Sequence, residues 1–293
     1  MDLESRIIAD CGNLSLDISD LICKFLILKP INKHIAYNDF TSYIIKNGKI
    51  IITSYNQVDI YRGKGIISYK QDFISISVNY FNSVALCSDG TFKLWRQHLT
   101  MKYYTPDESD FVSVTAVNDD VIAIRSDGSV KSMKKGEMKK KGFVMFTGSM
   151  SNYCMSIIGL KSDGTIDFLE IDSHTEYLPK GSDYISVATG YLHILALKID
   201  GTICTTRPIT DSFGLISNTP KEDNFIAIAA RRGNSVALTD NGVICIWGKG
   251  YDEMKTIPAK DCIDIIMSDE KIIGLTSNGD VVKYPLPAGS LMI

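Results

Sequence analysis

The sequence contains few of the side chains from which catalytic and metal sites are usually built. Its four histidines (His34, His98, His174 and His193) are isolated, and its seven cysteines are scattered without a Cys-x-x-Cys pair. A zinc site or a disulfide framework is therefore not expected, and we predict no metal or other cofactor. The sequence also lacks a nucleophile elbow, a His-Glu-x-x-His motif and a P-loop, since Gly248-Lys249-Gly250 has only the spacing of a turn. We therefore expect a non-hydrolytic binding module rather than an enzyme.

Long apolar runs and an excess of charge are also missing. No hydrophobic stretch approaches the ~20 residues that span a bilayer, and the acidic start at residues 1–6 lacks a signal-peptide core. The formal net charge is -3 over 293 residues, so a nucleic-acid partner is not expected. We predict an intracellular protein of the cytoplasm or nucleus with no transmembrane segment, and we expect it to be monomeric.

What the sequence does contain is a regularly spaced turn. An Asn-Gly or Asp-Gly pair recurs between short apolar runs, and successive turn glycines lie 36 to 42 residues apart. The pairs are Asn47-Gly48, Asp89-Gly90, Asp127-Gly128, Asp163-Gly164, Asp200-Gly201, Asn241-Gly242 and Asn278-Gly279. Such pairs tolerate the positive φ of a type I′ turn, which joins the two strands of a hairpin. A hairpin array with a period of about 40 residues indicates a solenoid or a propeller.

Each repeat predicts the same set of strands. An alternating strand, such as 73–78 or 225–229, precedes a short loop and then the hairpin around the turn. A polar connector follows, so three strands are clear and a fourth has room, as in a propeller blade. Leucine-rich and ankyrin solenoids fit poorly because they have shorter periods and need helices or an Asn/Leu ladder. We predict an all-β fold, a seven-bladed β-propeller formed as a single domain by the repeats in residues 33–293.

Residues 1–32 allow two interpretations. Residues 6–18 are consistent with a degenerate hairpin whose strand helps to close the ring, and we favour this interpretation. Alternatively, six apolar residues would share one face of an amphipathic helix that begins near Ser15 or Asp17. These are Leu14, Ile18, Leu21, Ile22, Phe25 and Leu26. A helix there would suit an adaptor-recruiting segment, loosely like an F-box.

The three clearest repeats, at residues 83–95, 188–203 and 235–248, share a motif that extends beyond the turn. Residues 188–203 read Ala-Thr-Gly-Tyr-Leu-His-Ile-Leu-Ala-Leu-Lys-Ile-Asp-Gly-Thr-Ile, and residues 235–248 continue from Ser-Val-Ala-Leu through the turn to Trp-Gly. These repeats resemble the regulator of chromosome condensation family of β-propellers, whose pattern is Ala-x-Gly-x-x-His-x-x-Ala-Leu-x-x-Asp-Gly-x-Val-x-x-Trp-Gly. Residues 188–203 match its first part, residues 235–248 match its second part, and residues 83–95 form a third good copy. The family histidine is kept only as His193, and the Trp-Gly ending only as Trp247-Gly248. WD-repeat propellers fit less well because the Gly-His dipeptide and the Trp-Asp strand ending are absent.

Comparison of the repeats separates positions that the blade needs from positions that are free to bind a partner. The loop between the first and second strands varies most, and these loops lie on one face around the axis. They mix aromatic, arginine and carboxylate side chains, a composition typical of protein-binding surfaces. We predict partner contacts from Tyr80, Phe81, Asp119, Asp120, Asn152, Tyr153, Tyr191, His193, Arg231, Arg232, Asp269 and Glu270. The alternative is that these are solvated loop residues, and that His193 is a hydrogen-bonded structural residue.

Two further segments are candidates for partner contact. The run 134–141 contains Lys134, Lys135, Lys139, Lys140 and Lys141, and it is either a solvated connector or a basic patch for an acidic partner. The connector 207–215 is longer than its counterparts. Because a protruding wedge engages the GTPase in the family's exchange factor, the resemblance suggests Asp211 and Phe213 as wedge residues.

The resemblance implies a protein-interaction propeller that regulates a small GTPase, in particular by Ran-type guanine nucleotide exchange. Exchange requires only that the propeller favour the nucleotide-free GTPase, so missing catalytic motifs do not count against it. The abundance of Ile, Lys and Asn suggests an AT-rich genome, and for a pathogen effector the GTPase would be the host's. Two other classes stay open: a non-catalytic enzyme inhibitor that uses face loops, and a ubiquitin-ligase adaptor scaffold.

Overall fold

A computed structural model describes most of the repeat region. The described residues are 35–37, 41–54, 65–67, 72–79, 82–96, 107–117, 119–148, 157–169, 177–191, 193–206, 211, 213–268 and 271–286. The segment 1–32 lies outside them, so both interpretations of that segment stay predictions. So does the division of the chain between residues 32 and 33.

The described residues form seven antiparallel sheets, each a blade, and contain no α-helix. Blade 1 consists of β1 (Ile35–Tyr37), β2 (Thr41–Lys46), β3 (Lys49–Ser54) and β4 (Gly65–Ile67), and blade 2 of β5 (Phe73–Val78), β6 (Asn82–Cys87) and β7 (Phe92–Arg96). Blade 3 consists of β8 (Phe111–Val117), β9 (Asp120–Arg125), β10 (Val130–Ser132) and β11 (Gly136–Glu137), and blade 4 of β12 (Phe143–Gly148), β13 (Ile157–Lys161) and β14 (Ile166–Phe168). Blade 5 consists of β15 (Tyr184–Thr189), β16 (Ile194–Lys198) and β17 (Ile203–Thr206). Blade 6 consists of β18 (Phe225–Arg231), β19 (Asn234–Thr239), β20 (Val243–Gly248) and β21 (Lys255–Pro258), and blade 7 of β22 (Cys262–Met267), β23 (Lys271–Thr276) and β24 (Val281–Pro285).

The seven blades form a closed ring. The innermost strand of each blade contacts that of the next, in the order β1, β5, β8, β12, β15, β18 and β22, and β22 contacts β1. This arrangement confirms the predicted all-β, seven-bladed propeller. Within the described residues, blade 1 contacts blade 7 and so closes the ring.

The hydrophobic core lies between the blades. Within the described residues, six clusters of buried apolar side chains occur, one between each pair of consecutive blades from 1 to 7. Between blades 5 and 6, for example, Leu195 and Leu197 pack against Phe225 and Trp247. Because each blade is covered on both sides, its second strand can be buried at every position, as it is from Asn234 to Thr239.

The turn glycines join consecutive blades as well as consecutive strands. In six of the seven turns, the glycine carbonyl accepts a hydrogen bond from an amide at or just before the next innermost strand. The Gly201 carbonyl, for example, accepts the amide of Phe225 at 3.1 Å. A side chain on Gly201 would collide with the backbone carbonyl oxygen of Asp223. Glycine is therefore needed at this position for two reasons, the positive φ and the close approach of the next blade.

The predicted turn type is wrong at six of the seven turns. Only Asn47-Gly48 has positive φ at both residues, 52° and 68°, as type I′ requires. In the others only the glycine has positive φ, and the chain forms a type I turn closed by that glycine. The side chain before the glycine explains this at Asp89, whose carboxylate accepts the amide and hydroxyl of Thr91 at 3.0 and 2.7 Å. This bonding stabilises the turn without a positive φ at the aspartate.

The strand directions give the ring two faces. The turn face carries the glycine turns and the beginnings of the innermost strands. Because neighbouring strands are antiparallel, the connections from first to second strands, and those that leave third strands, lie on the opposite loop face. The strands β1, β5, β12, β15, β18 and β22 line a central cavity of about 540 Å³.

Candidate functional site

Half of the predicted loop residues can be located, and all of these belong to loop-face connections. They are Asp119, Asp120, Tyr191, His193, Arg231 and Arg232. The others lie outside the described residues and stay predictions; they are Tyr80, Phe81, Asn152, Tyr153, Asp269 and Glu270. The located residues differ sharply in accessibility. Asp120 and His193 are only 7% and 3% exposed, whereas Asp119, Tyr191 and Arg232 are exposed and Arg231 is half-buried.

Asp120 stabilises the turn that follows the third strand of its own blade. Its carboxylate accepts hydrogen bonds from the Ser132 hydroxyl at 2.5 Å and from the amides of Val121 and Lys134 at 2.7 and 3.1 Å. The Ser132 hydroxyl oxygen in turn accepts the amide of Lys135 at 2.8 Å. The carboxylate therefore joins β9 to the β10–β11 turn, and it does not face a partner.

His193 joins blades 5 and 6 below the surface of the loop face. Its Nε2 lies 2.8 Å from the hydroxyl oxygen of Ser235 in β19. The residues that begin the second strands of other blades, Asn82, Asn234 and Lys271, are also buried. Burial keeps this position away from the surface that a partner can reach, even though its residue type differs between blades.

Accessible residues gather instead where the loops of blades 5 and 6 meet. The amide of Tyr191 donates to the carbonyl of Arg232 at 2.7 Å, which holds the two loops together. Lys249 follows the third strand of blade 6, and its amide donates to the carbonyl of Gly233 at 2.9 Å. Its ammonium group lies 5.9 Å from the ring centre of Phe213. We name this surface the blade 5–6 patch and define it as Tyr191, Phe213, Arg231, Arg232 and Lys249.

A tight hairpin presents the arginines of this patch. Arg231 pairs with Asn234 across the β18–β19 hairpin, which leaves Arg232 and Gly233 at the tip. Arg232 has a φ of 50°, a left-handed conformation that costs a residue with a side chain about 1–2 kcal/mol. Stability alone would favour glycine or asparagine at such a position. The chain nevertheless has an arginine at this tip, and its side chain is exposed.

The candidate wedge segment is anchored to blade 6 beside the patch. The carboxylate of Asp211 accepts the amides of Ile216 and Ser217 at 3.0 and 2.8 Å. Burial opposes ionisation of this carboxyl, but these hydrogen bonds outweigh it and hold the pKa of Asp211 below its usual range. Leu215 is fully buried, and its carbonyl accepts the indole N–H of Trp247 at 3.1 Å. The anchored turn leaves Ile216 44% exposed on the loop face.

The lysine run does not form one continuous patch. Lys134 and Lys135 lie in the β10–β11 turn on the loop face, where Lys134 forms an ion pair with Asp119. The lysines at 139–141 follow β11 toward the turn face. There Lys140 contacts the carboxylate of Asp167 at 3.3 Å and donates to the carbonyl of Phe168 at 2.8 Å. The short strand β11 thus divides the run between the two faces.

Sequence reasoning missed Lys249 and Ile216. The sequence shows Lys249 only as the centre of a Gly-Lys-Gly turn, and its contacts with Phe213 and Gly233 arise from tertiary structure. The signal that could have identified it is its position, because a residue that follows a third strand lies on the same face as the variable loops. Ile216 lies one residue beyond the connector 207–215, and only its exposure in the folded structure identifies it.

The described residues offer few features of other kinds of site. Among them, no group of three or more His, Cys, Asp or Glu side chains could hold a metal ion. No helix in the same part of the chain is long and apolar enough to cross a bilayer. Burial raises the pKa of the Cys245 thiol to about 11, which is typical of an inert core cysteine.

Comparison with solved structures places this fold in the β-propeller class. The chain is similar to the CRINKLY WD40 ectodomain of the Arabidopsis thaliana receptor kinase ACR4, at 13% identity and a TM-score of 0.65, over 88% of this chain and 96% of that one. It is similar to a structure of Kap60 bound to yeast RCC1 (Prp20), at 14% identity and a TM-score of 0.58, over 87% and 81% of the two chains.

The chain is also similar to Prp20p from Saccharomyces cerevisiae, a protein studied for its binding to Gsp1p and histones. It has 13% identity and a TM-score of 0.53, over 75% of this chain and 73% of that one. No protein-family model and no curated protein sequence matches the chain. At these identities the similarities show the propeller fold alone, and the RCC-type assignment of the repeats stays a prediction.

Proposed function

We propose that this chain is a protein-interaction β-propeller that binds its partner through the loop face and performs no bond-making chemistry. The observation that carries the proposal is the blade 5–6 patch. Tyr191 is 44% exposed, and Arg232 and Lys249 lie on the same face. Ile216, also 44% exposed, directly follows the segment that is anchored beside this patch. Exposed aromatic and arginine side chains on a rigid framework are typical of the residues that dominate binding energy at protein interfaces.

The charge of the patch favours an acidic partner surface. Arg231, Arg232 and Lys249 are cationic, while the carboxylate of Asp211 accepts backbone amides within its own turn. Complementary charge across an interface raises the association rate and makes it dependent on salt. We therefore expect the partner to present an acidic surface to this patch.

We further propose a small GTPase as the partner and accelerated release of its guanine nucleotide as the effect. The resemblance of the repeats to the regulator of chromosome condensation family supports this choice, and so does the structural similarity to Prp20p. The propeller need supply no catalytic side chain. It need only bind the nucleotide-free GTPase more tightly than the loaded form, because a ligand shifts an equilibrium by its differential affinity.

A nucleotide-release assay over a panel of purified small GTPases tests this function. Each GTPase is loaded with a fluorescent guanine nucleotide and mixed with the propeller and excess unlabelled nucleotide. We expect release from at least one GTPase to accelerate about tenfold or more, which corresponds to about 1.4 kcal/mol of differential stabilisation. No binding and no acceleration across the panel would refute the GTPase proposal. Binding without acceleration would keep the interaction and refute exchange.

Two isoleucines provide a matched pair of variants for the same assay. Ile216 on the loop face and Ile199 in the blade 5 glycine turn are both 44% exposed. We expect Ile216→Ala to weaken binding of the GTPase by about fivefold or more, the loss typical of a contributing interface residue. Ile199→Ala removes the same atoms from the turn face and should leave affinity unchanged. The reverse result would move the interface to the turn face.

A further inference from the structure

The innermost strands share an irregularity at their turn-face ends. In blades 2 to 7, the pairing between first and second strands skips one residue near the beginning of the innermost strand. A β-bulge leaves its extra residue outside the ladder and can redirect its side chain. The skipped residue is apolar in every case: Ile74, Val112, Val144, Ile185, Ile226 and Ile263.

The exposure of these bulge residues changes around the ring. Ile74 and Val112 pack against the clusters between blades, and Val144 is only 9% exposed. Ile226 and Ile263, in contrast, are 44% and 52% exposed. Together with Ile185, which is half-buried and also packs against the cluster between blades 5 and 6, they line the central cavity. We name Ile185, Ile226 and Ile263 the apolar arc; it lies at the turn-face end of the cavity, in blades 5 to 7.

The first described strand joins the ring at this same end of the cavity. Ala36 pairs with Tyr43, which lies five positions before the turn glycine of blade 1. In the same way, Ile76 of blade 2 pairs with a residue five positions before the turn glycine of that blade. This register gives Ala36 the position that Ile76 has in blade 2, two residues after the bulge residue Ile74. Ile35 and Ala36 line the same cavity, and β1 contacts β22, the strand that carries Ile263. Residues 1–34 therefore connect to the ring beside the most exposed end of the arc.

We propose that residues 14–28 of the same chain dock on the apolar arc and cover the turn-face end of the cavity. This stretch includes the run 21–28, in which Lys24 is the one charged residue. The intervening residues 29–34 span up to ~20 Å when extended, and so short a tether gives an effective concentration on the order of millimolar. An exposed apolar surface beside an apolar tethered segment favours burial of both. The blade 5–6 patch lies on the opposite face and stays accessible.

Disulfide trapping in the full-length chain tests the docking. Cys23 lies within the proposed segment, and Ile263→Cys puts a second thiol on the arc at a position that is 52% exposed, so the fold should tolerate it. With oxidised glutathione present, we expect an intramolecular disulfide between Cys23 and position 263, identified in the monomer by peptide mass spectrometry. Val282→Cys, on the outer strand β24, is the matched control and should form little of this bond.

A further double variant distinguishes docking from proximity, because a tethered thiol meets position 263 even without docking. Leu21→Asp with Phe25→Asp, added to the Ile263→Cys chain, keeps the tether and both thiols but removes apolar surface. We expect the disulfide to form at least about tenfold more slowly. Burial of each large apolar side chain changes the docking equilibrium constant by about tenfold or more. An unchanged rate would overturn the proposal. So would a bond that joins two copies of the chain, or a yield no higher than that of Val282→Cys.

Discussion

Replacing a turn glycine by alanine separates the two reasons for the repeated dipeptide. At Gly201, φ is 83° and an added Cβ would collide with the carbonyl oxygen of Asp223 in the approach to blade 6. At Gly128, φ is 77°, but the nearest atoms are those of Gly142 at 3.8 Å, an ordinary van der Waals distance. Both glycine carbonyls accept an interblade hydrogen bond of 3.1 Å. Gly128→Ala is therefore a matched control that reports left-handed strain alone.

The expected losses of stability follow from these geometries. Left-handed strain costs about 1–2 kcal/mol in either variant. Gly201→Ala must also displace backbone at the junction of blades 5 and 6, and overpacking of this kind adds about 1–3 kcal/mol. We expect the free energy of unfolding to fall by about 1–2 kcal/mol for Gly128→Ala and by about 2–5 kcal/mol for Gly201→Ala.

Equilibrium unfolding in urea, followed by circular dichroism and tryptophan fluorescence, measures both losses. Gly90→Ala and Gly164→Ala should behave like Gly201→Ala, because their added Cβ atoms would also meet backbone carbonyl oxygens of the connector to the next blade. Equal losses for Gly128→Ala and the other variants would refute the second reason for glycine, which is the close approach of the next blade.

Three further outcomes follow from the contacts of single side chains. His193→Ala removes a buried interblade hydrogen bond and should lower the free energy of unfolding by about 1–3 kcal/mol in urea titration; an unchanged value would contradict its structural role. Trp247→Phe should increase amide hydrogen exchange within 213–218, because the indole anchors that segment, and unchanged exchange would argue against the anchor. The hydrogen bond from Thr202 lowers the pKa of Asp200, so this turn contributes stability above about pH 4 that is lost as the pH falls through the lowered value. Thr202→Val should therefore shift the midpoint of acid unfolding to higher pH, and no shift would count against that contribution.

The fold could be predicted because its signal is local and repeated. The alternating run 73–78 is strand β5, and the run 225–229 lies within strand β18. Seven turns at one period specify seven blades whether or not the contacts between blades are known. The type of turn was not predictable from the dipeptide alone, because it depends on whether a side chain such as that of Asp89 finds the Thr91 hydroxyl.

The candidate site was only partly predictable, because variation between repeats does not reveal burial. Asp120 and His193 vary between copies in the same way as Arg232, yet the first two are enclosed and the third is exposed. Their burial comes from neighbours distant in sequence, such as Ser235, which lies 42 residues from His193. Lys249 joins the patch by a comparable long-range contact. The sequence therefore indicated that these loops share one face, but not which of their side chains are exposed.

The most direct test of the account compares charge reversal on the two faces. Arg231→Glu with Arg232→Glu changes the loop face, and Lys221→Glu with Lys260→Glu makes the same change in net charge at exposed positions of the turn-face connectors. Affinity for the GTPase found in the panel is measured for both, together with the melting temperature. We expect about a 30-fold loss of affinity or more for the loop-face variant, as for one hot-spot residue of about 2 kcal/mol. We expect nearly unchanged affinity for the turn-face variant. An equal loss in both folded variants, or a loss confined to the turn-face variant, would contradict binding through the loop face.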